Sequence, residues 1–257
     1  MSDAGSPLPP PPPSATPPPG YVSYEPSLSA AVPLRRVGGL GKAILILLAV
    51  AAVGFLVQAI TIPSAVDSAK DLIAGRIDED RFDDDLAPFG LASLLTGATF
   101  IALIVLTMIW LYRIAANHRA IGRQLSWAPG WAIGGWFLPP FVLYIIPMLM
   151  LSESWKAADP DVPPGDQRWR QNSVSPLVYV WWVLYGLVPI IFIARGLTFE
   201  TGTFSQDAVD VAEAIEDQQG FMVAQSLSGL ASAVAFGLLV RALTARHARL
   251  TGESARR

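Results

Sequence analysis

Hydrophobic positions in this chain come in long runs rather than in stripes. Leu40 to Ile62, Phe89 to Tyr112, Pro176 to about Ile193 and Phe221 to about Val240 are each predominantly apolar, with polar stretches between them. At about 1.5 Å of rise per residue, roughly 20 residues cover the ~30 Å hydrocarbon core of a bilayer. Each run is therefore read as a spanning helix. A fifth run, 131 to 151, is as long, but Pro139 and Pro140 remove two backbone donors near its centre and Pro147 removes another. Backbone left unpaired at membrane depth needs cover from protein or water. This run either crosses as a kinked helix or dips in and returns. The fold class is all-α: a polytopic membrane helix bundle of four spanning helices plus a proline-broken re-entrant or interfacial segment.

The segments around the runs set the domain limits. Residues 1–39 form a proline-rich tail, 40–245 the transmembrane helical domain and 246–257 a basic C-terminal tail. Eleven of the 22 prolines fall within residues 1–33, a composition expected to be disordered with polyproline II character. Such a tail either docks an aromatic-grooved cytoplasmic partner or serves as a solubilising spacer. Pro63 is expected to end the first helix, and Ser64 to cap a short helix reaching about Ile77. Asp78 to Asp85 reads as a solvated acidic loop, since it lacks the ligand spacing and turn glycine of a calcium loop. Asp207, Asp210, Glu213, Glu216 and Asp217 fit one exposed face of a helix, with Ala208, Val211 and Ile215 opposite.

Small residues mark where helices approach one another. Gly229, Ala233 and Gly237 recur every four residues, with Ser228 and Ser232 beside them, and predict close helix packing. That packing is expected inside the chain, with a homo-oligomer as the second use. Trp110 and Tyr112 mark a headgroup level.

Charge chooses the topology. The chain has 18 Lys and Arg against 21 Asp and Glu, and the two signs are segregated. Cytoplasmic loops carry an excess of Lys and Arg. If segment 131–151 crosses, the whole basic C-terminal tail falls outside. If it dips and returns, the basic segments gather inside, except for the three cations of 63–88 and Arg195, and both acidic loops face out. The re-entrant arrangement is expected, in the cell membrane, with both termini cytoplasmic.

Composition then narrows the function. Charged residues make up 15% and hydrophobic ones 52%, too apolar for a soluble domain. No basic domain is present, so nucleic acid is not an expected partner. The chain has no Cys, and its two His are far apart in sequence, so neither cofactor nor metal is expected. No HExxH, GxSxG, P-loop or paired intramembrane carboxylate occurs, and the chain is read as no enzyme.

One stretch carries a resemblance. Tyr112-Arg113-x3-Asn117, Gly122, Ser126-Trp127-x-Pro129-Gly130-Trp131, Trp136-Phe137-x-Pro139-Pro140, Pro147, Trp155 with Ala158-Asp159-Pro160, and Trp181-Trp182 together resemble uncharacterised bacterial membrane proteins, common in actinobacteria, grouped as domain of unknown function 4328. The resemblance covers roughly residues 40 to 245. It implies a multi-pass membrane protein of the bacterial envelope and supplies no activity.

The expected function is that of a non-enzymatic envelope scaffold or regulator. Its working surface would be the cytoplasmic face: the proline-rich tail, Arg113, Asn117, Arg119, Arg123, the Trp127–Trp136 belt with Pro129 and Trp131, and the basic C-terminus, with anionic lipid head groups as partners. Arg113 and Asn117, one helical turn apart, are expected to cap carbonyls of the broken segment. The alternative is a small-solute transporter using segment 131–151. It would need a hydrated path lined by Gln58, Ser93, Thr96, Thr99, Gln225 and Ser228.

Overall fold

A computed structural model describes residues 33–138, 145–190 and 207–253. The proline-rich leader, Pro139 and Pro140 lie outside the described residues. The described chain is all-helical. Its elements are α1 (Gly38–Ile73), α2 (Glu79–Ala120), the single turn α3 (Trp131–Gly134), α4 (Ile145–Ala157), α5 (Pro176–Ile190) and α6 (Ala208–Leu250). No strand occurs among the described residues.

Three helices, α1, α2 and α6, are long and apolar enough to cross a membrane. They contain 36, 42 and 43 residues, or roughly 54 to 65 Å of helix, well beyond a ~30 Å hydrocarbon core. Their outer faces are hydrophobic: Ile46, Val53 and Ile60 on α1 and Leu94, Ile101 and Val105 on α2 are all exposed. Large apolar side chains facing outward along helices of this length fit a bilayer as the surrounding solvent. The fourth expected span corresponds to α5. Ser175 caps it, accepting from Leu177 N at 3.3 Å, Pro176 opens it, and a π turn runs through Val183–Leu187.

α1 lies between α2 and α6 and packs extensively on both. Its glycines fix the register. A Cβ on Gly41 would stand 2.7 Å from Thr244 Oγ1, one on Gly54 would overlap Thr96, and one on Gly229 of α6 would stand 2.5 Å from the Phe55 ring. Thus residue 41 faces 244, 54 faces 96 and 55 faces 229, and α1 runs antiparallel to both neighbours. Gly229 and Gly237 both face α1, and Ala233 is buried. The small-residue ladder works inside the chain.

Two expectations about the acidic segments are corrected. Pro63 lies inside α1, which continues to Ile73. The hydroxyl of Thr61 donates to Val57 O at 2.9 Å and that of Ser64 to Thr61 O at 2.9 Å, around the missing donor. Packing holds the continuation: Ile62, Ala65, Val66 and Ala69 are buried. Burying a Val or Ile contributes about 1.5–3 kcal/mol, enough for a few such residues to outweigh the ~3 kcal/mol of a helix-interior proline. The acidic run is likewise no loop. Asp78 caps α2 by accepting from Arg81 N at 3.0 Å, and Glu79 and Asp80 occupy the first turn, where the helix dipole favours negative charge. Beneath these carboxylates Ala69, Leu72, Phe82 and Ala212 form a second small core, with Ala208, Val211 and Ile215 packed against it. α6 therefore buries the face that its apolar positions predict.

Between α2 and α5 the chain leaves and returns to one end of the bundle. Arg123, just after α2, bonds the Ala157 carbonyl at the end of α4, and Glu153 of α4 holds the amides of Ser126 and Trp127. Pro147 is the third residue of α4, in its first turn, where a missing N–H leaves no bond unmade. It does not break this helix.

Candidate functional site

The end of the bundle where α1 begins and α2 and α6 finish is built from polar side chains that close backbone termini. Asn117 sits at its centre, 2% exposed. Its Oδ1 accepts from Arg35 N at 2.8 Å and its Nδ2 donates to Arg35 O at 2.7 Å. One turn earlier, Arg113 donates to Arg36 O at 3.0 Å, and Arg35 lies over the Tyr112 ring at 5.3 Å. Arg113 and Asn117 thus do cap carbonyls, but those of the chain entering α1. Among the described residues they make no bond to the broken segment.

Glu253 completes the same junction. Its carboxylate accepts from Val37 N and Gly38 N, both at 3.1 Å, at the first turn of α1. These are the orphan donors of a helix start, and a carboxylate there meets the positive end of the dipole. Gly252, at φ +67°, turns the chain back after α6 so that residue 253 reaches across. Asn117 Nδ2 also meets His247 Nε2 at 3.0 Å, and His118 and His247 stand edge-to-face at 4.9 Å between ring centroids, both fully buried.

Arg123 serves the neighbouring turn. It is fully buried, and its guanidinium donates to the carbonyls of Ala157, Asp159 and Val162. Burial lowers its pKa from the ordinary arginine value, against the carboxylates of Asp159 and Asp166, which raise it. Asp166 is itself held below the usual carboxylate value by hydrogen bonds from the Arg168 backbone and side chain. Asp159 accepts from Asn172 Nδ2 at 2.7 Å and lies 3.9 Å from Arg246, which covers the Trp155 ring at 4.8 Å.

The remaining predicted residues divide by place. Trp127 and Trp131 meet edge-on at 5.6 Å, and Trp131 is exposed. Pro129 O accepts from Ala132 N at 3.0 Å and starts α3. Trp136 and Trp181 lie inside the bundle, not in a surface belt: both contact Tyr185, and Trp181 also stacks on Phe236 at 5.0 Å. Trp182, half-buried, packs against the main core. Arg119 is exposed, as are Arg36, Lys42, Arg241 and Arg249, and none of these forms an ion pair among the described residues.

Trp136 and Trp181 border a cavity of about 560 Å³ between α1, α2, α5 and α6. Of the polar side chains expected along a solute path, Thr96, Gln225 and Ser228 line it. Gln58 instead donates to Thr96 at 3.3 Å, and Ser93 to the Phe89 carbonyl at 2.9 Å.

Arg123, expected on the working surface, turns inward instead. Glu253, Glu153 and the His118–His247 pair also carry this end, and sequence reasoning does not single them out for it. Their partners lie up to 216 positions away. Glu153 alone leaves a trace, as the only acidic residue between Asp85 and Asp159.

No curated protein and no solved structure matches the chain. The family described as a domain of unknown function (DUF4328) matches residues 75–245, from the turn before α2 into the last turns of α6, and takes in Asn117, Arg123 and the tryptophan-proline stretch. The chain belongs to that family.

Proposed function

We propose that this protein is a non-enzymatic scaffold of the bacterial inner membrane whose basic end docks on anionic lipid head groups. The observation that carries the reading is the division of labour among the cations there. Arg113 and Arg123 are occupied with backbone carbonyls. Arg36, Lys42, Arg119, Arg241 and Arg249 project outward from the ends of α1, α2 and α6. A Lys or Arg near an anionic surface gains about 1 kcal/mol. A rigid frame carrying a ring of free cations suits a surface platform. Such a frame also gives the proline-rich leader a fixed point from which to recruit an aromatic-grooved cytoplasmic partner.

The accompanying topology is four crossings with both termini cytoplasmic and segment 131–151 re-entrant. Two contacts support it. Glu253 meets Val37, which puts the described ends of the chain at one end of the bundle. Arg123 meets Ala157, which puts both ends of the broken segment there as well.

Two measurements test the reading. Single cysteines replacing Asp84, Asp161, Glu213 and Arg249 are treated with an impermeant thiol reagent in intact cells. Labelling at 84 and 213 but not at 161 and 249 is expected, and labelling at 161 and 249 overturns the topology. Native mass spectrometry of the full chain should retain phosphatidylglycerol over phosphatidylcholine. Changing Arg36, Arg119, Arg241 and Arg249 to Gln should remove that preference, and a preference unchanged by the four substitutions overturns the platform.

A further inference from the structure

We propose that the cavity between α1, α2, α5 and α6 binds an uncharged lipid, a hydrocarbon body carrying a hydroxyl or carbonyl oxygen. Its volume, about 560 Å³, is that of a small-molecule site. Its walls follow α2 from Thr96 to Thr107, about 16 Å of helix and close to the ~15 Å depth of one bilayer leaflet. The body of the slot is aromatic: Trp181 stacks on Tyr185 at 5.1 Å and on Phe236 at 5.0 Å. No Lys, Arg, Asp or Glu lines it among the described residues. An ionised head group inside would lose its hydration with no opposite charge to replace it.

The polar groups in the wall point to an oxygen-bearing ligand. Gln225, Ser228 and Ser232 are spaced three and four residues apart on α6, so they share one face. Thr107 faces the same space from α2. None of these four side chains has a hydrogen-bond partner among the described residues, whereas Thr96, at the other end of the α2 wall, donates to Ala92 O at 2.8 Å. Unpaired hydroxyl and amide groups at membrane depth carry a free-energy cost that a bound hydroxyl or carbonyl removes. Entry is sideways. Phe100, 44% exposed, and Gln225, also exposed, stand where the cavity meets the outer surface, open to the bilayer in which uncharged lipids dissolve.

The test uses the full chain in phosphatidylcholine nanodiscs and a monoacylglycerol with a diazirine on its acyl chain. After irradiation, adducts are mapped by mass spectrometry. Adducts at cavity residues such as Leu103, Thr107 and Phe236 are expected. Unlabelled monoacylglycerol should displace them and phosphatidylglycerol should not. Ser232→Phe, whose ring fills the slot, should remove these adducts and leave those on the lipid-facing Leu94 and Ile101. The Ser228→Ala, Ser232→Ala double variant keeps the volume and loses two hydrogen bonds, so the probe concentration for half-labelling should rise about tenfold. This second variant decides the matter if Ser232→Phe does not fold. Adducts confined to Leu94 and Ile101, displacement by phosphatidylglycerol as effective as by monoacylglycerol, or unchanged half-labelling in the double variant each overturns the proposal.

Discussion

Asn117 donates from Nδ2 to His247 Nε2 at 3.0 Å, and Arg35 fixes the direction of that bond. The Arg35 amide needs an acceptor and its carbonyl a donor, so the Asn117 side chain has one orientation that serves both. In that orientation its NH₂ faces the imidazole, and His247 Nε2 has to be unprotonated. Acidification should therefore destabilise the protein. The unfolded chain accepts the proton freely, the folded chain accepts it only by losing the bond, and stability falls as pH drops through the ordinary histidine range near ~6.5. Melting temperatures in detergent between pH 8 and pH 5 check this. His247→Gln, whose amide oxygen accepts without titrating, should weaken the dependence, and the fully buried His118 beside it supplies what remains. Asn117→Ala should lower the melting temperature at every pH, by the equivalent of about 2–3 kcal/mol for unpaired buried groups.

Glu253→Ala removes the only side-chain acceptor for Val37 N and Gly38 N among the described residues. A loss of about 1 kcal/mol is expected, the usual worth of a helix cap. Hydrogen exchange should quicken at the first amides of α1 and stay unchanged at its far end. Uniform protection in the variant would show that the cap is not closed in solution.

Gly229→Ala should destabilise the bundle, because the new Cβ falls on the Phe55 ring, 2.5 Å from Cε1. Phe55→Leu withdraws those ring atoms. The pair should couple favourably in a double-mutant cycle, with the double variant more stable than the sum of the singles by about 1 kcal/mol or more. Simple additivity would mean that the two helices do not meet there.

Arg123→Ala should cost more than any exposed arginine, about 3 kcal/mol or more, since three carbonyls lose a buried donor. Arg123→Lys should recover little, because a single ammonium does not reach three carbonyls in a plane. Arg119→Ala, on the exposed last turn of α2, is the matched control and should leave the melting temperature within ~0.5 kcal/mol of the wild type.

Hydropathy made the three long helices legible, because a run of 20 apolar residues has few other readings. The α6 ladder was legible too, since glycine every fourth residue shortens the distance to a neighbour. Pro63 misled for a local reason: the rule that proline ends a helix ignores the packing of Val66, Ala69 and Leu72 beyond it. The first acidic segment misled because Asp78 and its neighbours read as solvated when they are also the cap of α2. The polar end was legible only in part. Arg113 and Asn117 stood out, but their partners are backbone atoms of residues 35 and 36, and nothing in a sequence marks a carbonyl as the one to be capped. Glu253 was invisible in the same way.

The contact between Glu253 and α1 also fixes an order of events during synthesis. α1 leaves the ribosome before α2 and α6, yet its opening amides face no side-chain acceptor among the described residues until residue 253 has been made. The packing of α1 on α2 can form as soon as α2 is made, whereas Gly41 meets Thr244 and His247 meets Asn117 only after α6. Until residue 253 has been made the opening turn of α1 stays unlatched, and the turn that follows α6 fastens it.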